Sequence, residues 1–143
     1  MSVFLDTSAL VPVFLADHPH HAPSMNLFVR CDPQTASCAS HSLAEVYATL
    51  TRLPVPHRAS PDQAIKCLQD IASRFRLISL EGARYLSVIQ NSAANKIVGG
   101  TIYDALIAAC ALQAGADHIY TWNSRLFEQL GPEVAGRLLA PDV

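Results

Sequence analysis

The chain has 143 residues, of which 50% are hydrophobic and 15% charged, and its formal net charge is −2. This composition excludes a disordered chain and predicts one globular domain, residues 1–143, with a substantial core. The charge excludes a strongly basic protein that binds nucleic acid through its own cations, but not a site where a bound metal ion supplies positive charge.

Short apolar runs alternate with helical patterns along the whole chain. Pro12 is expected to bend the first helix or to limit its first turn, and Gly115 to end the longest apolar helix. The predicted elements, in order, are strand 3–5, helices 9–16 and 22–31, strand 35–39, helices 42–52 and 60–73, strand 75–80, helices 83–96 and 101–114, strand 118–121, helix 124–130 and edge strand 137–139.

This alternation is typical of α/β proteins with a short, mostly parallel central sheet and helices on both faces. In open sheets of this kind, functional sites lie beyond the carboxyl ends of the strands. Asp6 follows the first strand and Asn123 follows the fourth, so both are expected at that edge. Glu45 and Asp104 lie near predicted helix starts, which can approach the same edge.

Three acids stand within hydrophobic sequence, where solvated surface charges are not expected. Asp6 directly follows Val-Phe-Leu, Glu45 lies in Leu-Ala-Glu-Val-Tyr and Asp104 lies in Ile-Tyr-Asp-Ala-Leu-Ile. A buried carboxylate must be protonated or paired with a cation, because an unpaired charge is costly in a medium of low polarity. Hard cations prefer oxygen ligands, so Mg²⁺, or Mn²⁺, is the metal that these residues predict.

Each acid also has a structural explanation. Asp6 is positioned to cap the first helix. Ser42-x-x-Glu45 has the spacing of a capping box, and Thr101-x-x-Asp104 is a similar start signal. Taken singly, these explanations are at least as good as a metal site. The metal site is favoured because a helix that is apolar nearly all round places Asp104 at the wall of the core.

Four segments carry the acids and Asn123: Phe4-Leu-Asp-Thr-Ser-Ala-Leu10, Ser42-Leu-Ala-Glu-Val-Tyr-Ala-Thr-Leu-Thr-Arg52, Tyr103-Asp-Ala-Leu-Ile-Ala-Ala-Cys-Ala111 and Tyr120-Thr-Trp-Asn-Ser-Arg-Leu-Phe127. In this order and spacing the chain resembles the PIN-domain family, and within it the VapC-type toxins of bacterial toxin–antitoxin pairs. The resemblance implies a single PIN-like domain and a Mg²⁺- or Mn²⁺-dependent endoribonuclease that cleaves RNA phosphodiesters with metal-activated water. It also implies a homodimer inhibited by a cognate antitoxin.

The resemblance assigns roles to single residues. The implied catalytic residues are Asp6, Glu45, Asp104 and Asn123, and the first three are the implied metal ligands. Thr7 and Thr121 are implied as accessory hydroxyls that hydrogen-bond the acids or the substrate. Many members of the family have an acid in the last motif. Asn123 offers a carbonyl oxygen but no charge, which puts a strict two-metal mechanism in doubt.

Other polar residues give weaker signals. Arg125, directly after the last motif, is a candidate contact to an RNA phosphate. His18, His20 and His21 fit no standard zinc spacing and are expected in a solvated loop. His41 is expected in a turn, where contact with RNA is the less favoured interpretation.

Competing functions are less well supported by the residues. A phosphoaspartate receiver requires paired acids after the first strand, and a dehalogenase-type phosphatase requires Asp-x-Asp; Asp6-Thr-Ser8 provides neither. The remaining alternative is a catalytically impaired PIN-fold module that binds RNA or protein, which Asn123 alone favours. The four cysteines form no C-x-x-C pair, and no apolar run reaches the ~18 residues of a membrane helix, so a cytoplasmic protein is expected.

Overall fold

The structure, a computed structural model, describes residues 1–142; Val143, the last residue of the predicted domain, lies outside them. Five strands and eight α-helices occur in the described part of the chain, and a 3-10 helix, Val11–Phe14, continues α1. The strands are β1 Val3–Leu5, β2 Ala36–Ala39, β3 Arg76–Ile78, β4 His118–Tyr120 and β5 Leu138–Leu139. The helices are α1 Thr7–Leu10, α2 His21–Phe28, α3 Ser40–Arg52, α4 Pro61–Arg74, α5 Gly82–Ala94, α6 Thr101–Gln113, α7 Ser124–Glu128 and α8 Pro132–Ala135.

The five strands form one parallel sheet in the order β3-β2-β1-β4-β5. The chain starts at the central strand β1, moves outward to β2 and β3, and then crosses to the other side of β1 as β4. Val3 is therefore paired with Ala36 on one side and with His118 on the other. The strand order reverses between β1 and β4, and crevices that bind ligands form at such positions in open α/β sheets.

Hydrophobic clusters cover both faces of the sheet. Neighbouring residues of β1 point to opposite faces, so Leu5 belongs to one cluster and Phe4 to the other. The cluster around Leu5 includes residues of α1 to α4, whereas the cluster around Phe4 includes residues of α6, α7 and α8. The predicted arrangement, a parallel sheet between two layers of helices, is confirmed.

The predicted elements agree with the structure to within a few residues at most ends. Pro12 does not bend one long helix; it lies in the 3-10 helix that replaces the α-helix after Leu10. α3 begins at Ser40, two residues before the predicted start. The short helix α8, which begins with Pro132 after Gly131, was not predicted. Gly115 ends α6 with a φ of +68°, as expected for a helix-terminating glycine.

Two further expectations from the sequence concern the cysteines and membrane-spanning helices. All four cysteines are free thiols, and three of them are buried. Within residues 1–142, no helix combines the length and the apolar character needed to cross a membrane.

Candidate functional site

The site forms where β1 and β4 end side by side. Leu5 is paired with Tyr120, and the Asp6 amide donates a hydrogen bond to the Tyr120 carbonyl at 3.1 Å. Asp6 and Thr121 are the first residues beyond the two strands, so the register itself brings their side chains together. Asp117 precedes β4 and lies at the opposite edge of the sheet, as its sequence position predicts.

Asp6 is a buried carboxylate held by two hydroxyl groups. Its side chain is 2% exposed. Ser8 Oγ donates to Oδ1 at 2.8 Å, and Thr121 Oγ1 donates to Oδ2 at 3.2 Å. Burial raises the pKa of Asp6 to about 7 in spite of these hydrogen bonds, and the negative charge of Asp104 adds to the rise. Asp6 occupies the N-cap position of α1, and its side chain makes no capping hydrogen bond of ordinary geometry, although the nearby Ala9 backbone amide does lower its pKa.

Glu45 is tied to the start of α1 through a threonine. Thr7 Oγ1 donates to Glu45 Oε1 at 2.6 Å and lies 2.9 Å from Ser42 Oγ. The predicted capping box of Ser42 and Glu45 is wrong, because α3 already begins at Ser40 and Ser42 lies inside the helix, fully buried. The Ser42 hydroxyl therefore faces Thr7 rather than a helix end, and Glu45 is oriented from a different helix.

Asp104 approaches the same place from the first turn of α6, where it is half-buried. Thr101 is the first residue of this helix, and Gly100 stands at the N-cap without any side-chain cap. The start signal Thr101-x-x-Asp104 thus gives the correct beginning of α6, but no side chain caps this helix. Burial raises the pKa of Asp104, and the charge of Glu45 raises it further. Since Asp104 also raises the pKa of Asp6, the three carboxylates are electrostatically coupled.

Thr121, Asn123 and Arg125 occupy the segment after β4. Thr121 is fully buried, and its hydroxyl accepts a hydrogen bond from the Asn123 amide at 2.9 Å while it contacts Asp6. Asn123 is exposed at the N-cap position of α7, where its side chain does not cap the helix. Arg125 is exposed on α7 and is not among the residues that line the cleft described below.

One cleft of about 430 Å³ brings the predicted catalytic residues together. Its lining comprises Asp6, Thr7, Ser8, Val11, Pro12, His18, His20, Glu45, Thr49, Asp104, Trp122 and Asn123. All four predicted catalytic residues are in this set, as is Thr7, whereas Thr121 lies behind Asp6. We refer to this space as the acidic cleft.

The acidic cleft has the donor chemistry of a site for a hard cation. Its carboxylate and amide oxygens are the groups that Mg²⁺ and Mn²⁺ prefer, and a cation would relieve the repulsion among the three acids. As the side chains stand, no three His, Cys, Asp or Glu residues within 1–142 are grouped closely enough to hold a metal ion. The acids therefore share a cleft without forming a finished coordination sphere, and their roles as metal ligands stay predictions.

Sequence reasoning did not identify several residues that shape the cleft. Ser8 binds Asp6, and only its position two residues after an acid at a helix start hinted at this. Trp122 stacks on His20, although the two residues lie far apart in the sequence.

His41, which does not line the cleft, belongs to α3 rather than to the predicted turn. Its Nε2 lies 3.8 Å from Glu45 Oε2.

The fold and the cleft define a three-layer α/β domain in which three acids line one cleft at the point where the strand order reverses. The chain belongs to the PIN domain family, whose family model matches residues 3–131. It is 35% identical over 111 residues to ribonuclease VapC40 of Mycobacterium tuberculosis, covering 78% of this chain and 79% of that protein. It is 31% identical over 133 residues to ribonuclease VapC27 of the same organism, covering 91% and 93%.

Solved structures share the fold. M. tuberculosis VapC20, a toxin that cleaves the sarcin–ricin loop, superposes with a TM-score of 0.70 at 17% identity, over 87% of this chain and 92% of that one. VapBC2 of Rickettsia felis, bound to a DNA fragment from its promoter, gives a TM-score of 0.65 at 18% identity, over 99% and 100%. VapBC-1 of Haemophilus influenzae gives 0.64 at 15% identity, over 98% of both chains.

Proposed function

We propose that this chain is a Mg²⁺- or Mn²⁺-dependent endoribonuclease of the VapC type. The observation that carries the proposal is the acidic cleft, which Asp6, Glu45 and Asp104 all line at the carboxyl edge of the sheet. The two relatives named ribonucleases support RNA as the substrate, and each alignment covers more than three quarters of both chains. The raised pKa values of Asp6 and Asp104 mean that ionising these carboxylates costs free energy in the folded chain. Acids placed at such a cost are better explained by a function than by a contribution to stability.

The chain's own residues prepare the cleft for a cation and a phosphodiester. Ser8 and Thr121 fix the two oxygens of Asp6, and Thr7 fixes one oxygen of Glu45. Bound at these acids, the ion would polarise the phosphodiester and lower the pKa of an attacking water. Asn123 would contribute a neutral carbonyl oxygen at the exposed end of the cleft. The Thr7 and Ser8 hydroxyls are occupied with carboxylates, which favours water over a side chain as the nucleophile.

The proposal extends to the biological setting. A protein of this type is a cytoplasmic toxin, a homodimer in solution, and is neutralised by a cognate antitoxin. The VapBC structures from R. felis and H. influenzae support an antitoxin partner by their names. The outer helix α5 supports self-association, because its apolar side chains Tyr85 and Leu86 are 43% and 56% exposed. Light scattering tests the homodimer: a mass of 15.4 kDa, that of a single chain, contradicts it.

The second candidate is a catalytically impaired module that keeps the fold and binds RNA or protein. Two observations favour it: Asn123 stands where many family members have an acid, and the acids are not grouped as finished ligands. Against it stands the burial of Asp6, since a binding module gains nothing from a carboxylate whose ionisation is disfavoured inside the domain.

Incubation of the purified chain with end-labelled structured RNA separates the two candidates. Defined cleavage products are expected with Mg²⁺ or Mn²⁺, and none with EDTA. Manganese titration by calorimetry gives a second readout that does not depend on choosing the right RNA. Cleavage that persists unchanged in EDTA contradicts metal dependence. RNA binding without manganese binding or cleavage favours the impaired module.

A further inference from the structure

Two aromatic rings form one wall of the acidic cleft. The rings of His20 and Trp122 are stacked with centroids 3.7 Å apart and planes 7° from parallel, and both residues line the cleft. Trp122 is the only tryptophan in the chain and directly precedes Asn123. We call His20 and Trp122 the aromatic wall.

The aromatic wall is held in place by hydrogen bonds on both sides of Trp122. The indole Nε1 donates to Ser24 Oγ at 3.0 Å, and Ser24 is fully buried in α2. The Trp122 backbone amide donates to Ser8 Oγ at 2.8 Å, and the same Ser8 oxygen donates to Asp6 at 2.8 Å. The position of the indole is thereby linked through one hydroxyl group to the buried acid. Such a fixed ring loses little conformational entropy when a ligand stacks on it.

The residues that line the cleft are of two chemical kinds. The carboxylates lie at the starts of α1 and α6 and in α3, whereas Val11 and Pro12 of the 3-10 helix line the same space. His18 and His20 follow in the connector to α2, and Trp122 stands beside them. One cleft thus offers charged oxygens for a cation and a phosphate together with an apolar, aromatic surface for a flat ring.

A second stacked pair does not have these properties. His41 and Tyr103 lie with ring centroids 5.5 Å apart and planes 13° from parallel, close to Glu45 and Asp104 in sequence. Both residues are exposed, and neither lines the acidic cleft. The aromatic wall is therefore the better placed of the two for a group next to a phosphate at the acids.

We propose that the aromatic wall binds one unpaired nucleobase of the RNA adjacent to the scissile phosphate. The inference rests on the proposed ribonuclease function and names the part of the substrate that the cleft recognises. Bases stack readily on aromatic side chains, and single-stranded loops can splay their bases outward. Bases inside a duplex are already stacked on their neighbours and cannot reach a wall within a cleft.

Because Trp122 is the only tryptophan, its fluorescence reports on the wall directly. The Asp104→Asn variant, in which cleavage is suppressed, is titrated in Mg²⁺ with a labelled unpaired RNA and with a duplex of the same sequence. Label anisotropy measures binding, and tryptophan emission measures stacking. The unpaired RNA is expected to quench the emission in step with binding, and the duplex is not. Saturated binding of the unpaired RNA without any change in emission overturns the proposal.

Substitutions separate stacking from a purely structural role of Trp122. In the otherwise unchanged chain, Trp122→Leu is expected to raise KM for an unpaired RNA by about 5- to 100-fold with a smaller change in kcat. Trp122→Phe keeps a stacking ring but loses the bond to Ser24, so its KM should rise less. Tyr103→Leu removes an exposed aromatic ring that does not line the cleft and serves as the matched control. An unchanged KM in folded Trp122→Leu contradicts the proposal.

The outcomes distinguish this inference from the proposed function. If Trp122→Leu does not fold, His20→Ala replaces it, with the same expected rise in KM and the same contradicting result. If the emission is quenched by unpaired RNA but the unchanged chain cleaves none of it with Mg²⁺ or Mn²⁺, the ribonuclease proposal fails and base binding stands. If neither RNA binds to Asp104→Asn and the unchanged chain cleaves neither RNA with Mg²⁺ or Mn²⁺, both proposals fail.

Discussion

Asp6 and Asp117 lie at opposite edges of the same sheet, and their environments shift their pKa values in opposite directions. Asp117 precedes β4 and is exposed, and its Oδ2 accepts a hydrogen bond from the Ser2 amide at 3.0 Å. This backbone hydrogen bond is the main reason that the pKa of Asp117 is lowered. Asp6 follows β1, is buried, and has a pKa raised to about 7 by that burial.

The difference shows what each aspartate contributes. Asp117 joins Ser2, just before β1, to the start of β4, and its charged form is stabilised within the chain. Asp6 is surrounded by hydroxyl groups and other carboxylates, so its charged form is stabilised only in part. An acid that the fold orients but leaves without a cation is the kind of group expected in a metal-dependent active site.

Removing the acids gives the largest expected effect. Asp6→Asn and Asp104→Asn should each reduce cleavage of structured RNA by about 1,000-fold or more, because groups that hold the charge-stabilising ion are lost while the fold survives. Asp117→Asn is the matched control and should cleave RNA at the normal rate. Initial rates in Mg²⁺ measure the effect. Undiminished cleavage by both Asp6→Asn and Asp104→Asn would refute the assignment.

The two aspartates should also differ in how stability depends on pH in EDTA. The folded chain keeps the proton on Asp6 up to about pH 7, whereas the unfolded chain loses it near 3.8, so the folded state binds more protons between these values. Stability is therefore full below 3.8 and falls as pH rises to about 7, by on the order of 4 kcal/mol. Asp6→Asn should remove most of this loss of stability. At pH values above 7, its melting temperature should therefore be higher than that of the unchanged chain.

Urea unfolding and thermal melting of the unchanged chain and of Asp6→Asn, in EDTA between pH 4 and 8, measure this difference in stability. In Asp117→Asn, the fall attributed to Asp6 should remain, since the substitution leaves the buried carboxylate unchanged. If Asp6→Asn melts at a lower temperature than the unchanged chain in EDTA at pH 8, the account of Asp6 as a strained acid is wrong.

A smaller effect is expected from the hydroxyl group that orients Glu45. Thr7→Val removes the 2.6 Å hydrogen bond to Glu45 and should reduce activity by about 10-fold, in the range found when a partner of a metal ligand is lost. Thr51→Val, also a loss of one threonine hydroxyl, removes a bond to the Tyr47 carbonyl within α3 and is the control. Equal losses in the two variants would mean that Thr7 has only a structural role.

The smallest expected effect concerns Arg125, which lies outside the cleft. If Arg125 contacts an RNA phosphate, Arg125→Gln should weaken binding by a few-fold. The slope of the logarithm of the binding constant against the logarithm of the salt concentration should also fall in magnitude by about one. Arg84→Gln on α5 provides a control with the same change of charge. Fluorescence anisotropy at several salt concentrations measures both. An identical salt dependence in the two variants contradicts a specific contact.

Much of this architecture was predictable, because it depends on local patterns. Short apolar strands alternating with helices gave the parallel sheet, and an acid directly after β1 gave the edge of the site. The capping box of Ser42 and Glu45 failed because α3 began two residues earlier than its pattern indicated, which moved Ser42 into the helix interior. The stacking of His20 on Trp122 was not predictable from local pattern, since it depends on how two distant loops meet.

The central claim is that Asp6, just before α1, Glu45 on α3 and Asp104 on α6 bind one Mg²⁺ or Mn²⁺ ion together. Calorimetric titration of the purified chain with Mn²⁺ near pH 7 tests this most directly. We predict that Mn²⁺ binding releases protons, because Asp6 is partly protonated at this pH. Binding should be lost in both Asp6→Asn and Asp104→Asn and kept in Asp117→Asn. Manganese binding of equal strength in all four proteins would contradict the account.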